Sequence, residues 1–143
     1  MIIERRIEDA MVTRLEARAY FIAQSISARG YDDRAELDGG IIAVVMCEPV
    51  TRIEPNYNLY STLLSVVALN NSEADVEGDD MAALYADILD ELMNDMTAAS
   101  LTASINNVAV IIDGVVGDPG TYDGGDKYKM LAAQARLFLT YTP

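Results

Sequence analysis

Apolar residues in the first part of the chain fall at three- and four-residue steps: Ile3, Ile7, Met11, Leu15, Ala19 and Ile22. One face of an α-helix has this spacing, so the pattern predicts a helix over about Ile3–Ser27. Arg5, Arg6, Glu8, Asp9, Arg14, Glu16 and Arg18 fill much of its remaining surface. Gly30 supplies a stop, and residues 31–40 read as a loop. The period then changes. Ile41–Cys47 is almost continuously apolar and rich in β-branched residues, which predicts a strand buried on both faces. Pro49 and Pro55 bracket a polar link, Val50–Glu54. A longer strand is predicted over Tyr57–Asn70. There Tyr60, Leu64, Val66 and Ala68 share one parity with Thr62, and Leu59, Leu63, Val67 and Leu69 share the other with Ser61 and Ser65.

An acidic linker, Glu73–Gly78, leads into the clearest helix, about Asp79–Met96. Met81, Leu84, Tyr85, Ile88, Leu89, Leu92, Met93 and Met96 form its apolar stripe, and Asp79 and Asp80 stand where acids favour a helix N-terminus. Asp87, Asp90, Glu91 and Asp95 lie on or beside the opposite face, and are expected to have no Lys or Arg to pair with. Thr97–Ser104 reads as a turn or helix end. Ile105–Val116 reads as a strand, with Asp113-Gly114 able to turn or bulge within it. Gly117–Lys127 has the composition of a loop, and Tyr128–Thr142 closes the chain as a strand. The order α-β-β-α-β-β predicts one α+β domain over residues 1–143. Its sheet is mostly antiparallel, with the N-terminal helix and the second, acidic amphipathic helix packed on one face.

Composition narrows the function. A chain of 143 residues with 51% hydrophobic and 23% charged side chains can bury one core. Its formal charge of -13 argues against binding nucleic acid or anionic lipid, both of which need clustered Lys and Arg. Residues 73–100 hold nine acids and no base, so one face is expected to be strongly electronegative, most simply as a solvated helix surface. Histidine is absent, which removes His-dependent nucleophilic catalysis and His-ligated metal or haem sites. The single cysteine, Cys47, sits in an apolar run and reads as a small buried hydrophobe. Asp118, Asp123 and Asp126 suggest calcium, but their spacing is not that of an EF-hand and no glutamate closes the loop. The carboxylate pairs Asp32/Asp33, Asp79/Asp80 and Asp90/Glu91 lie in polar stretches, and no phosphate loop is present. The expectation is a protein that is not an enzyme and holds no cofactor or metal. The charged start and the lack of a long apolar run predict a soluble intracellular product.

Long apolar strands in a small acidic chain, with an Asp/Gly loop near the end, suit a subunit repeated in a symmetric ring. The layout from Ile3 to Thr142 resembles the tail-terminator, or tail-completion, proteins of tailed bacteriophages. The most similar pieces are Asp79–Leu89 and Ala135–Tyr141. The acidic linker 73–78 and the loop 117–127 are longer than the family pattern. The resemblance implies a structural virion protein of the neck or tail, assembled in the host cytoplasm. Its hexameric ring would cap the finished tail tube, meet the head-tail connector and let DNA pass without specific binding. In such a ring the segment Asp118–Lys127, with Tyr122, Asp123 and Asp126, is expected to touch a neighbouring subunit or the tube. Arg52, the one base between residues 35 and 126, is expected to bridge to acidic neighbours. Asp79, Asp80, Asp87, Asp90, Glu91 and Asp95 form the expected acidic face, turned to the channel or rim, where carboxylates repel phosphate. Rival readings are another head–tail connector or head-completion adaptor, and an acidic inhibitor that mimics DNA.

Overall fold

The computed structural model describes residues 2–30, 41–54, 58–70, 79–105, 109–123 and 129–140. The first helical segment is two helices rather than one. Helix α1 spans Ile3–Glu16 and α2 spans Ala19–Gln24. Arg18 breaks them with an extended backbone, φ -70° and ψ 140°. The predicted stripe does not survive the break: Ala19 and Ile22 are exposed, Ile22 at 66%, and Phe21 instead joins Leu15 in the buried core. Ser25 ends α2 in the left-handed region, at φ 55°, and turns the chain back into strand β1, Ser27–Gly30. No pattern in the sequence announced β1. Four residues are too few for a period, and the strand forms because the next one offers it a partner.

Strand β2 spans Ile41–Cys47, β3 Thr51–Glu54 and β4 Leu59–Asn70. Helix α3, Asp79–Asp90, runs into a π-helical turn, Glu91–Asp95, and α4 spans Ala98–Ile105. Strands β5, Ala109–Asp123, and β6, Lys129–Thr140, complete the sheet. Its order is β1-β2-β4-β6-β5, with β3 pairing β4 beyond the end of β2. The β1–β2 pair is parallel and the other described pairs are antiparallel. The fold is α+β, as the order of periods predicts.

The register explains the core. Gly30, Val45, Val66, Ala133 and Gly117 lie in one row across the sheet, and Ala28, Ala43, Ala68 and Leu131 lie in the next. Ala43, Ala68 and Ala133 in these rows keep the sheet surface low, so that the helices approach closely. Ile7, Met11 and Leu15 of α1, and Leu84, Ile88 and Leu92 of α3 and its turn, join the same buried cluster. The parity containing Tyr60, Leu64, Val66 and Ala68 is the helix side of β4, and Leu137 and Leu139 mark the same side of β6. Strand β2 is buried on both faces: Ile42 and Val44 are covered as well as Ala43 and Val45.

Four further sequence expectations need correction. Thr51–Glu54 is a strand, because β4 is long enough to pair first with β2 and then with β3. Thr97–Ser104 is largely helix α4. Thr97 and Ser100 seal its start reciprocally, the Ser100 amide donating to Thr97 Oγ1 at 3.1 Å and the Thr97 amide to Ser100 Oγ at 3.0 Å. Gly117–Asp123 extends β5 rather than forming a loop. Pairing with β6 overrides the turn composition, and register shifts between Ile112 and Gly114 and between Asp118 and Tyr122 absorb the misfit residues. Met93 leaves the apolar stripe and is 62% exposed. The wider π turn, closed by the Met96 amide on Glu91 O at 2.7 Å, keeps Leu92 and Met96 buried and turns Met93 outward.

Candidate assembly surface

Helix α1 has three functional flanks. Ile3, Ile7, Met11 and Leu15 face the core. A second stripe, Glu4, Glu8 and Glu16, runs along the β1–β2 edge of the sheet and accepts its outward backbone amides. Glu16 Oε1 accepts from Ala28 N at 3.4 Å, Glu8 Oε1 from Cys47 N at 3.1 Å, and Glu4 Oε1 from Val50 N at 2.9 Å. Glu8 is buried to do so. Strand β1 ends at Gly30, opposite Val45, so Cys47 and Val50 lie past its reach and the glutamates continue the closure. An unpaired strand edge invites pairing with another chain, and these glutamates occupy three amides along this one.

The third flank carries arginines. Arg6 donates to the Ile105 carbonyl at the end of α4. Arg14 Nε donates to Glu91 Oε1 at 2.5 Å and its Nη2 to the Asp95 carbonyl at 3.2 Å. Arg18, at the break between α1 and α2, gathers four carboxylates. It holds Asp87 through Nε at 2.8 Å and Nη2 at 3.2 Å, Glu91 through Nη1 at 2.7 Å, Asp95 through Nη1 at 2.6 Å and Asp90 through Nη2 at 3.2 Å. Asn94 Nδ2 steadies the other Asp90 oxygen at 2.6 Å. Glu91 is only 3% exposed. The hydrogen bond to Asp87, with help from Asp95 and Glu91, holds Arg18 above the ordinary arginine range despite partial burial.

This clasp corrects the reading of a free acidic helix face. Asp87, Asp90, Glu91 and Asp95 are ion-paired to Arg14 and Arg18, which lie far away in sequence. Nothing within residues 73–100 could reveal those partners. What the clasp can do is fix the α1–α2 break against the π turn. Asp79 and Asp80 open α3. Their side chains, and the linker 73–78, lie outside the described residues.

The other expected contact residues are scattered. Arg52, on β3, is exposed. Its Nη2 donates to Asn58 Oδ1 at 2.8 Å and its guanidinium lies 5.8 Å from the Tyr60 ring centroid. Asp118, Tyr122 and Asp123 belong to β5 at the opposite edge of the sheet, while Asp126 and Lys127 lie outside the described residues. The structure therefore places Arg52 on a different edge of the sheet from Asp118, Tyr122 and Asp123 within one copy. Cys47 is a poor nucleophile. Burial, with the nearby charges of Glu8, Glu4 and Glu48, pushes its thiol up to about 12, against a smaller opposing effect of the Thr62 hydroxyl.

The β5 edge differs from the sealed one. It is fifteen residues long and is the last strand of the sheet path. Helix α4 packs against its start, where the Val110 amide donates to Thr102 Oγ1 at 3.0 Å. Sequence reasoning missed both edges, because strand order is not written in any local pattern. The Glu4, Glu8, Glu16 spacing on one helical stripe was the available signal.

Among the described residues no group of three or more His, Cys, Asp or Glu could hold a metal ion. No described helix is long and apolar enough to cross a membrane. No protein-family model matches the chain, and no curated protein does. The chain is similar to a solved structure whose name states no activity. The TM-score is 0.56 at 13% identity, over 97% of this chain and 94% of the other. At that identity the likeness establishes the fold alone.

Proposed function

We propose that this chain is a structural protein of a tailed bacteriophage virion, a tail terminator that acts by assembling rather than by catalysis. In this reading copies form a hexameric ring that caps the tail tube and meets the head-side connector, and DNA passes through it without specific binding. The single observation that supports the reading is the asymmetry of the sheet edges. Glu4, Glu8 and Glu16 close one edge, while a fifteen-residue strand forms the other. A stable protein covers, charges or pairs a long edge. Pairing it with a different surface of an identical copy is a head-to-tail contact, and such contacts build rings when the rotation closes.

The net charge of -13 suits a ring that DNA must traverse without adhering. Asp87, Asp90, Glu91 and Asp95 share two arginines, so the cluster keeps a net negative charge, with Asp90 and Asp95 half exposed. Light scattering of the purified protein across a concentration series and two salt levels, followed by negative-stain imaging with and without tail tubes, tests the proposal. A six-fold ring with a central channel is expected. A stable two-fold dimer under every condition overturns it, because a two-fold does not build a six-fold cap.

A further inference from the structure

We infer, resting on the ring reading, that β5 of one copy pairs antiparallel with β3 of the next, so that one continuous sheet runs around the assembly. Strand polarity carries the argument. Strand β5 is antiparallel to β6, β6 to β4, and β4 to β3. Within one copy β5 and β3 therefore run in opposite directions, on opposite sides of the sheet. Rotation about an axis along the strands preserves those directions. Such a rotation delivers β3 of the next copy to β5 in the antiparallel sense that ladder hydrogen bonding favours. A β5–β5 contact is also antiparallel, but it needs a two-fold axis and stops at two copies.

The choice of β3 over the rest of its edge follows from the amides. Those of Ala28, Cys47 and Val50 are occupied by Glu16, Glu8 and Glu4. Past Val50, α1 supplies no further glutamate, since Glu4 lies in its first turn. Thr51, Arg52 and Ile53 of β3 are all exposed, and Ile53, at 42%, is among the few large apolar side chains on the surface. Ile53 sits at a register shift between Arg52 and Glu54 in the β3–β4 pair, so the pairing with β5 is placed on Thr51 and Arg52, ahead of that irregularity.

Paired cysteines test this in a Cys47→Ala background. Thr51→Cys is combined in turn with Ile112→Cys, Val116→Cys and Tyr122→Cys, and the assembled protein is mildly oxidised and run on a denaturing gel. At least one double variant is expected to give a ladder of covalent species extending past the dimer, and each single variant none. Dimer from a single β5 variant alone overturns the inference in favour of two-fold edge pairing. A ring by light scattering with no ladder from any pair overturns it while leaving the ring reading standing. A monomer under all conditions, tubes included, overturns both. Amide hydrogen exchange on the unmodified chain guards against a variant that misfolds. Protection over residues 51–54 and over β5 is expected to rise together on assembly, and a ring without that joint protection overturns the pairing.

Discussion

Arg18 grips Asp87 through both carboxylate oxygens, at 2.8 and 3.2 Å, although the two residues lie 69 positions apart. This bidentate pair is the centre of the clasp. The same guanidinium reaches Glu91, Asp90 and Asp95, so the place where the first helix breaks is tied to the place where the third widens. Charge-assisted forks of this kind fix direction as well as distance, and a flexible ammonium cannot reproduce them.

Replacing Arg18 should therefore hurt more than an exposed ion pair would suggest. Arg18→Ala leaves the buried Glu91 with only Arg14, and the expected loss is about 3 kcal/mol. Arg18→Lys recovers part of it. Urea unfolding of both variants decides the point, and a loss below ~0.5 kcal/mol for Arg18→Ala would place the clasp among ordinary surface pairs.

Removing Glu8 opens the sealed edge. Glu8→Ala frees the Cys47 amide, at an expected cost of about 1–2 kcal/mol. It should also raise non-specific self-association, because an uncovered edge is a pairing template. Glu8→Gln keeps an acceptor and should restore most of the stability. Thermal melts with parallel light scattering distinguish these outcomes, and an Ala variant that melts like the parent refutes the edge-sealing role.

The π turn predicts a sharp contrast between neighbours. Leu92 is 1% exposed and Met93 is 62% exposed. Leu92→Ala should cost about 2–5 kcal/mol through cavity formation, and Met93→Ala should stay within about 0.5 kcal/mol. Equal losses in denaturant titrations would mean that the helix continues as a regular α-helix and carries Met93 inward.

Cys47 gives a pH prediction. Its folded value is pushed up to about 12, from an ordinary 9.0, so the folded state holds the proton more tightly than the unfolded state. The stabilisation is complete below the ordinary value and is lost as pH rises through the folded one. Stability measured from pH 8 upward should fall, and Cys47→Ala should flatten that part of the decline. Thiol labelling of the folded protein should remain slow at pH 9. Rapid labelling there, without unfolding, would contradict the burial.

How much of this was readable in advance divides cleanly by the range of the interaction. Periodicity located α1, α3, β2, β4 and β6, and identified the inward parity of the long strands, because a helix or strand records its own buried face every few residues. The composition excluded histidine chemistry outright and pointed to a strongly acidic surface. Tertiary structure decided what local pattern cannot encode. Strand β1 exists because β2 offers it the edge that β4 does not use, and β3 because β4 extends past the end of β2. Gly117–Asp123 is strand because β6 pairs with it, against its turn-like composition. The acids of the third helix are clasped because Arg14 and Arg18 arrive from the far end of the chain, and Glu4, Glu8 and Glu16 become edge seals only when α1 is laid beside β1 and β2. A sequence fixes the charge and the period of each segment. Which charge meets which, and which edge is left to a neighbour, follows only when the segments pack.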